Sequence, residues 1–184
     1  MADTAHSGRG TDPLLLAGKV ICVIAQIGLA VGAAALLAGI PVALLAGSPL
    51  ATSLGLDDLP AGFPFWALAG VMAIGLAIVA MLFLFFRDLR RIIATVGEGD
   101  PFQPANATRL AQMGWLILGV QLVTLPAVWL GLQLVSYADE AENLHLSVDG
   151  GLDVDGILLV VVLFILARVF RHGAALRADL EGTV

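Results

Sequence analysis

The chain has 184 residues, 59% of them hydrophobic and 13% charged, with a formal net charge of −6. That charged fraction is about half the share a soluble domain carries, and the apolar residues fall in blocks longer than the roughly 20 helical residues needed to cross a bilayer, which excludes a water-soluble globular domain. Backbone groups in lipid must be paired internally, so the blocks read as helices, being too continuous for barrel strands; the single cysteine, Cys22, excludes an internal disulfide.

Residues 1–13 are polar and aperiodic, the pattern of a mobile cytoplasmic tail. Residues 14–184 then form a single membrane domain. The first span covers about 14–40, too long for the apolar region of a signal peptide. Gly28 and Gly32, with Ala25, Ala35 and Gly39 on nearly the same stripe, are expected to let another helix approach, from the same bundle or from a second copy in a homo-oligomer. Lys19 snorkels to the headgroups, and Gln26 is expected to join helices rather than to bind a solute. Pro41 and the Gly47, Ser48, Pro49 cluster end or kink this helix.

The first outer connection carries Asp57 and Asp58 and no basic residue. Phe63, Phe65 and Trp66 match an interfacial aromatic belt, and Pro64 opens a second helix that spans about 64–87 and projects as 88–96 into the cytoplasm. Leu89, Ile92, Ile93 and Val96 give that projection an apolar face, with Arg87, Arg90 and Arg91 on other sides. Gly97 to Pro101 form a turn. A third helix begins at Pro104, with an extension over 104–112 and a span over 113–137 that runs from Trp115 at the inner interface to Tyr137 at the outer. Gln121, Thr124 and Pro126 lie near mid-membrane. The second outer connection holds six acidic residues between Asp139 and Asp155, and its alternation from Leu144 to Val154 fits a short β-hairpin. The fourth span covers about 156–170, with a last extension over 171–180.

All nine Lys and Arg lie in the amino-terminal stretch, the 87–109 region or the carboxyl end, and neither outer connection has any. The positive-inside rule therefore places both termini and the central loop in the cytoplasm of a bacterial inner membrane. The fold class is all-α: a polytopic membrane four-helix bundle.

Catalytic patterns are largely missing. Residues 97–100 spell GxGD, similar to a motif of intramembrane aspartyl proteases, but that chemistry needs a second, facing aspartate and no span offers one at mid-membrane. There is no HExxH, no GxxxxGK, and no serine or histidine deep inside a span. Asp149, Asp153 and Asp155 are suited to calcium but lack EF-hand spacing. His145 and His172 could sense pH, yet both read as ordinary surface histidines, and the sequon at Asn106 is irrelevant in the cytoplasm. No catalytic residue, cofactor or metal is expected.

The segment GEGDPFQPANATRLAQMGW and the tail ILARVFRHGAALRADLEGTV resemble the two conserved cytoplasmic segments of small bacterial membrane proteins known as domain of unknown function 2975. The resemblance extends from the first helix to Val184 and rests on Pro101, Phe102, Pro104, Asn106, Arg109, Leu110, Gly114 and Trp115, together with Phe170, Arg171, Gly173, Ala174, Leu176, Thr183 and Val184. Asp100 departs from the pattern, where Asn is common. The resemblance implies four spans with both ends inside. Genes of such proteins often neighbour one for a small helix-turn-helix regulator, which implies a cytoplasmic DNA-binding partner.

The projections and the turn are expected to gather into one cytoplasmic platform built from Arg90, Arg91, Phe102, Asn106, Arg109, Phe170, Arg171, His172 and Arg177, with Phe102 and Phe170 as anchors. The resulting expectation is a noncatalytic membrane protein that binds or restrains such a regulator and does not itself bind nucleic acid. The alternative is a small transporter or channel component using Gln26, Gln121 and Thr124.

Overall fold

A computed structural model describes residues 13–53, 63–138 and 153–181. The amino-terminal tail, the first connection with Asp57 and Asp58, the expected hairpin with His145, and the terminal Thr183 and Val184 lie outside the described residues. Among the described residues there are four helices: α1 Pro13–Ser53, α2 Phe65–Gly97, α3 Pro104–Ala138 and α4 Val154–Glu181. The first three are long and apolar enough to cross a membrane.

α1 does not end at Pro41. It continues through both Pro41 and Pro49 to Ser53, so of the two expectations, an end or a kink, the ending is set aside. Each proline removes one backbone donor and frees a carbonyl one turn earlier. Among apolar residues that have no water to bond, helix is still the conformation that pairs the remaining backbone groups. α3 likewise runs through Pro126.

Helices pack in chain order, α1 on α2, α2 on α3 and α3 on α4; among the described residues no other helix pair brings backbones within 8 Å. The bundle is therefore open, with α1 and α4 at its edges. One apolar cluster joins Ile92 of α2, Leu110, Met113 and Ile117 of α3, and Val160, Leu163 and Ala167 of α4. Large apolar side chains elsewhere point outward, among them Leu45, Trp66, Leu122, Trp129 and Leu158. Lipid is the medium that makes such a surface tolerable.

Glycines set the close approaches. A Cβ on Gly114 would stand 3.2 Å from the Phe164 ring, one on Gly70 2.9 Å from Leu130, and one on Gly39 2.2 Å from Met72. Gly28 and Gly32, expected to be packing positions, have no atom within 4 Å of such a Cβ. This corrects the expectation of packing within the bundle and leaves the alternative of a second copy as it stood: among the described residues α1 touches only α2, through a face that buries Cys22 and Gln26, and Gly28 and Gly32 are turned away from it.

α4 departs from a full-length fourth span. Its amino end is fastened by Gln121, whose Nε2 donates to the carbonyl of Asp153 over 2.8 Å. Gln121 lies midway along α3, so half of α3 extends past the start of α4. The apolar run of α4, Ile157 to Ala167, is also short before Arg168 interrupts it.

These packing differences are testable by thermal unfolding in detergent. Gly114→Leu should force the Phe164 ring aside and cost about 1–3 kcal/mol, the usual range for overpacking, whereas Gly28→Leu should leave the midpoint unchanged. Equal losses at both positions would show that Gly28 is covered after all.

Candidate functional site: a basic helical platform

The start of α1, the α2–α3 turn and the end of α4 lie together. A Cβ on Gly18 would meet Ile93 at 3.2 Å and one on Gly97 would meet Leu15 at 3.7 Å, while Arg177 of α4 pairs with Asp100 in the turn. This end of the molecule carries Lys19, Arg87, Arg90, Arg91, Arg109, Arg168, Arg171 and Arg177, every basic residue among those described.

The turn is built by backbone geometry first. The Asp100 amide donates to the Thr95 carbonyl and the Gly99 amide to the Val96 carbonyl, both over 3.1 Å. These are the paired bonds of a Schellman ending, which needs a left-handed residue just past the helix. Gly99 supplies it with φ +85°, a conformation open to glycine without Cβ strain. Pro101 follows, and Pro104 starts α3 where a missing amide costs nothing.

Asn106 then locks the turn. It is fully buried, at 0% exposure. Its Nδ2 donates to Thr95 Oγ1 over 2.7 Å and to the Pro101 carbonyl over 3.0 Å, and its Oδ1 accepts from Arg109 Nη1 over 2.8 Å. The Thr95 hydroxyl in turn donates a hydrogen bond to the Ile92 carbonyl over 2.8 Å. One side chain thus ties the end of α2, the turn and the first turn of α3. Asn106 was expected to face a partner; its burial makes it an internal tie.

Aromatic packing adds α4 to the assembly. The rings of Phe102 and Phe170 lie 5.5 Å apart, tilted by 41°, in the favourable range for such pairs. Phe102 rests on Gly173, where a Cβ would come within 2.8 Å of the ring. Trp115 meets Phe164 edge-on at 5.4 Å. The expected anchor pair is therefore present, and Gly173 gives it room.

The cations divide into two groups. Asp88, only 2% exposed, accepts from Arg87 Nε at 3.3 Å and faces Arg91 Nη1 at 3.8 Å. Arg109 is held by Asn106, and Arg177 by Asp100. The charge of Asp100 is thereby matched by a cation. Arg90, Arg168, Arg171 and His172 are exposed, and no side-chain hydrogen bond or ion pair is made by any of them among the described residues. Arg168, Arg171 and His172 border an open groove of about 520 Å³ between α3 and α4.

Sequence reasoning overlooked Asp88 and Thr95. Asp88 sits in the run RDLRR, where a lone acid among arginines looks like surface patterning. Its signal was position: helical spacing places Asp88 with Ile92 and Thr95 on the buried face of α2. The polar residues weighed for transport are not brought together. Gln26 lies on α1, which does not approach α3; Gln121 is used by Asp153, and Thr124 donates to its own helix at Val120 over 2.8 Å.

The lock predicts a graded response. Asn106→Leu removes the bonds to Thr95, Pro101 and Arg109 together and should cost about 1–3 kcal/mol, the range for stranding buried polar groups, with faster amide exchange across 95–101. Arg91→Ala removes the longer, outer partner of Asp88 while Arg87 still bonds it, and should cost less than about 1 kcal/mol. Equal effects would refute the ranking.

Residues 55–184 match the model of the family described as "Protein of unknown function (DUF2975)". The match covers more than half of the chain and begins after α1, so it is narrower than the resemblance, which took in the first helix. No curated protein matches the chain, and no solved structure matches it.

Proposed function

The chain belongs to the DUF2975 family of proteins of unknown function, and from its platform we propose a noncatalytic membrane anchor that binds a small cytoplasmic DNA-binding regulator. The observation that carries this reading is the division of the cations. Some are spent on internal bonds that fix the platform, while Arg90, Arg171 and His172 stay exposed and unpaired on that fixed frame. A surface arranged this way favours an acidic partner by steering and by charge complementarity. The partner must then present carboxylates away from its own basic DNA-reading face, so one regulator could be held at the membrane through one side and read DNA through another.

The reading places the platform in the cytoplasm, which follows from the positive-inside rule applied to the basic end. It also takes α4 and the chain before it as a return across the bacterial inner membrane, so that both termini share the cytoplasmic side. A reporter active only in the cytoplasm, fused after Val184, should give signal, and the same reporter inserted after Asp57 should give none. The opposite pattern would put the platform outside and end the proposal.

The partner is tested by purifying tagged protein from its own host in mild detergent and identifying what accompanies it by mass spectrometry. A small DNA-binding protein retained by the wild type and lost from Arg90→Glu and Arg171→Glu, with insertion unchanged, is the expected result. Retention by both variants, or recovery of the bare protein, would count against the platform as a docking surface.

A further inference from the structure

We propose that the groove between α3 and α4 is a binding site for an anionic phospholipid, with the phosphodiester held by Arg168 and Arg171 and an acyl chain lying along Ala111, Phe164 and Ala167. Positions 164, 167, 168, 171 and 172 recur at helical spacing, so they form one stripe of α4 that changes from apolar to basic toward the carboxyl end. The groove of about 520 Å³ follows this stripe, with Ala111 of α3 forming the other wall. An open cleft that is apolar at one end and doubly cationic at the other has the polarity of a phospholipid.

Charge accounting supports an anion from outside the chain. Neither arginine has an ion-pair partner among the described residues, no carboxylate lines the groove, and Asp88 and Asp100 are paired with Arg87, Arg91 and Arg177. Guanidinium groups suit phosphate oxygens because their planar donors can bond two at once. His172, on the same wall, offers a further donor.

Position selects the bilayer as the source. Trp115, mostly exposed, packs edge-on against Phe164, one of the groove's lining residues, and tryptophan favours the headgroup level. The outward faces of α4 beside the groove, Val161, Ile165 and Val169, are exposed and apolar, so the groove opens onto the surface that acyl chains cover. A lipid can slide in sideways without leaving the membrane. α4 is an edge helix of an open bundle, and no backbone of α1 or α2 closes it off.

The site shares Arg171 with the regulator reading, yet the two fail separately, because Arg90 lies outside the groove and retained lipid and retained protein are read in different measurements. The test uses full-length protein delipidated in detergent and exposed to mixed micelles of equimolar phosphatidylglycerol and phosphatidylcholine, with retained lipid counted by native mass spectrometry. Wild type is expected to retain phosphatidylglycerol preferentially. Arg168→Gln with Arg171→Gln should reduce that preference about fivefold or more for a basic pair at the headgroup level, while Arg168→Lys with Arg171→Lys should keep most of it and Arg90→Gln all of it. Equal retention of the two lipids by wild type would overturn the proposal. So would an unchanged preference in the double Gln variant, or displacement of the lipid by millimolar inorganic phosphate, which would mark a site for soluble anions.

Discussion

The amide of Asn106 is the constraint on which the basic end depends. It satisfies a hydroxyl, a backbone carbonyl and a guanidinium from one buried point, and in doing so it fixes the angle at which α3 leaves the turn. A side-chain amide suits this place because it donates and accepts at once. A carboxylate there could not donate to Thr95 and Pro101, and an apolar residue of the same size would strand all three partners. Once the turn is fixed, Phe102 is held over Gly173, and α4 is drawn against α3 through Phe170. The placement of Arg168 and Arg171 is thus a consequence of a bond made on another helix.

Two kinds of adhesion operate along this molecule. Within the apolar region there is little hydrophobic gain from bringing helices together, because lipid tails are as apolar as leucine. Contact there relies on shape, as where Leu130 fits Gly70 and Phe164 fits Gly114. At the basic end water competes for every polar group, and the structure answers with hydrogen bonds that are buried: Asn106 at 0% and Asp88 at 2% exposure. Burial keeps water from the bonds and raises their electrostatic strength. The apolar cluster of Ile92, Leu110 and Met113 supplies that burial.

Much of this was legible in the residues. The helices follow from continuous apolar blocks, the turn from Gly97, Gly99 and Pro101, and the Phe102–Phe170 contact from two aromatic residues set in short motifs at the same end. Other features depended on tertiary context. The Gly28–Gly32 spacing looks identical to a packing stripe, yet which glycines are used depends on which face of α1 meets α2. Pro41 signals an ending by local propensity, but propensity yields where the surroundings offer the backbone no water. Asn106 was assigned to the right place with the wrong direction, since a motif shows that an amide is wanted but not whether it turns inward. Asp88 was hidden by its neighbours, because four of five residues in RDLRR suggest a solvated surface.

The division of the cations gives these local facts a common meaning. Arg87, Arg91, Arg109 and Arg177 each have a counter-group within the chain, so their charges mainly hold the fold. Each such pair contributes little by itself at an exposed position, but pairing also removes the charge from what a partner can use. The basic side chains left over are therefore more informative than the total, and they fall in three places: Lys19 on α1, Arg90 on α2, and the stripe on α4 where Arg168 and Arg171 are followed by His172. The stripe runs from a groove beside lipid toward the open end of the platform. A lipid phosphate at its inner end would neutralise Arg168 and part of Arg171, leaving Lys19, Arg90 and His172 as donors for a protein. Lipid occupancy and partner binding would then be coupled through Arg171, because a guanidinium engaged by phosphate has fewer donors to offer a carboxylate. By linkage the coupling is reciprocal: a partner that draws on Arg171 must loosen the lipid by the same factor that the lipid loosens the partner.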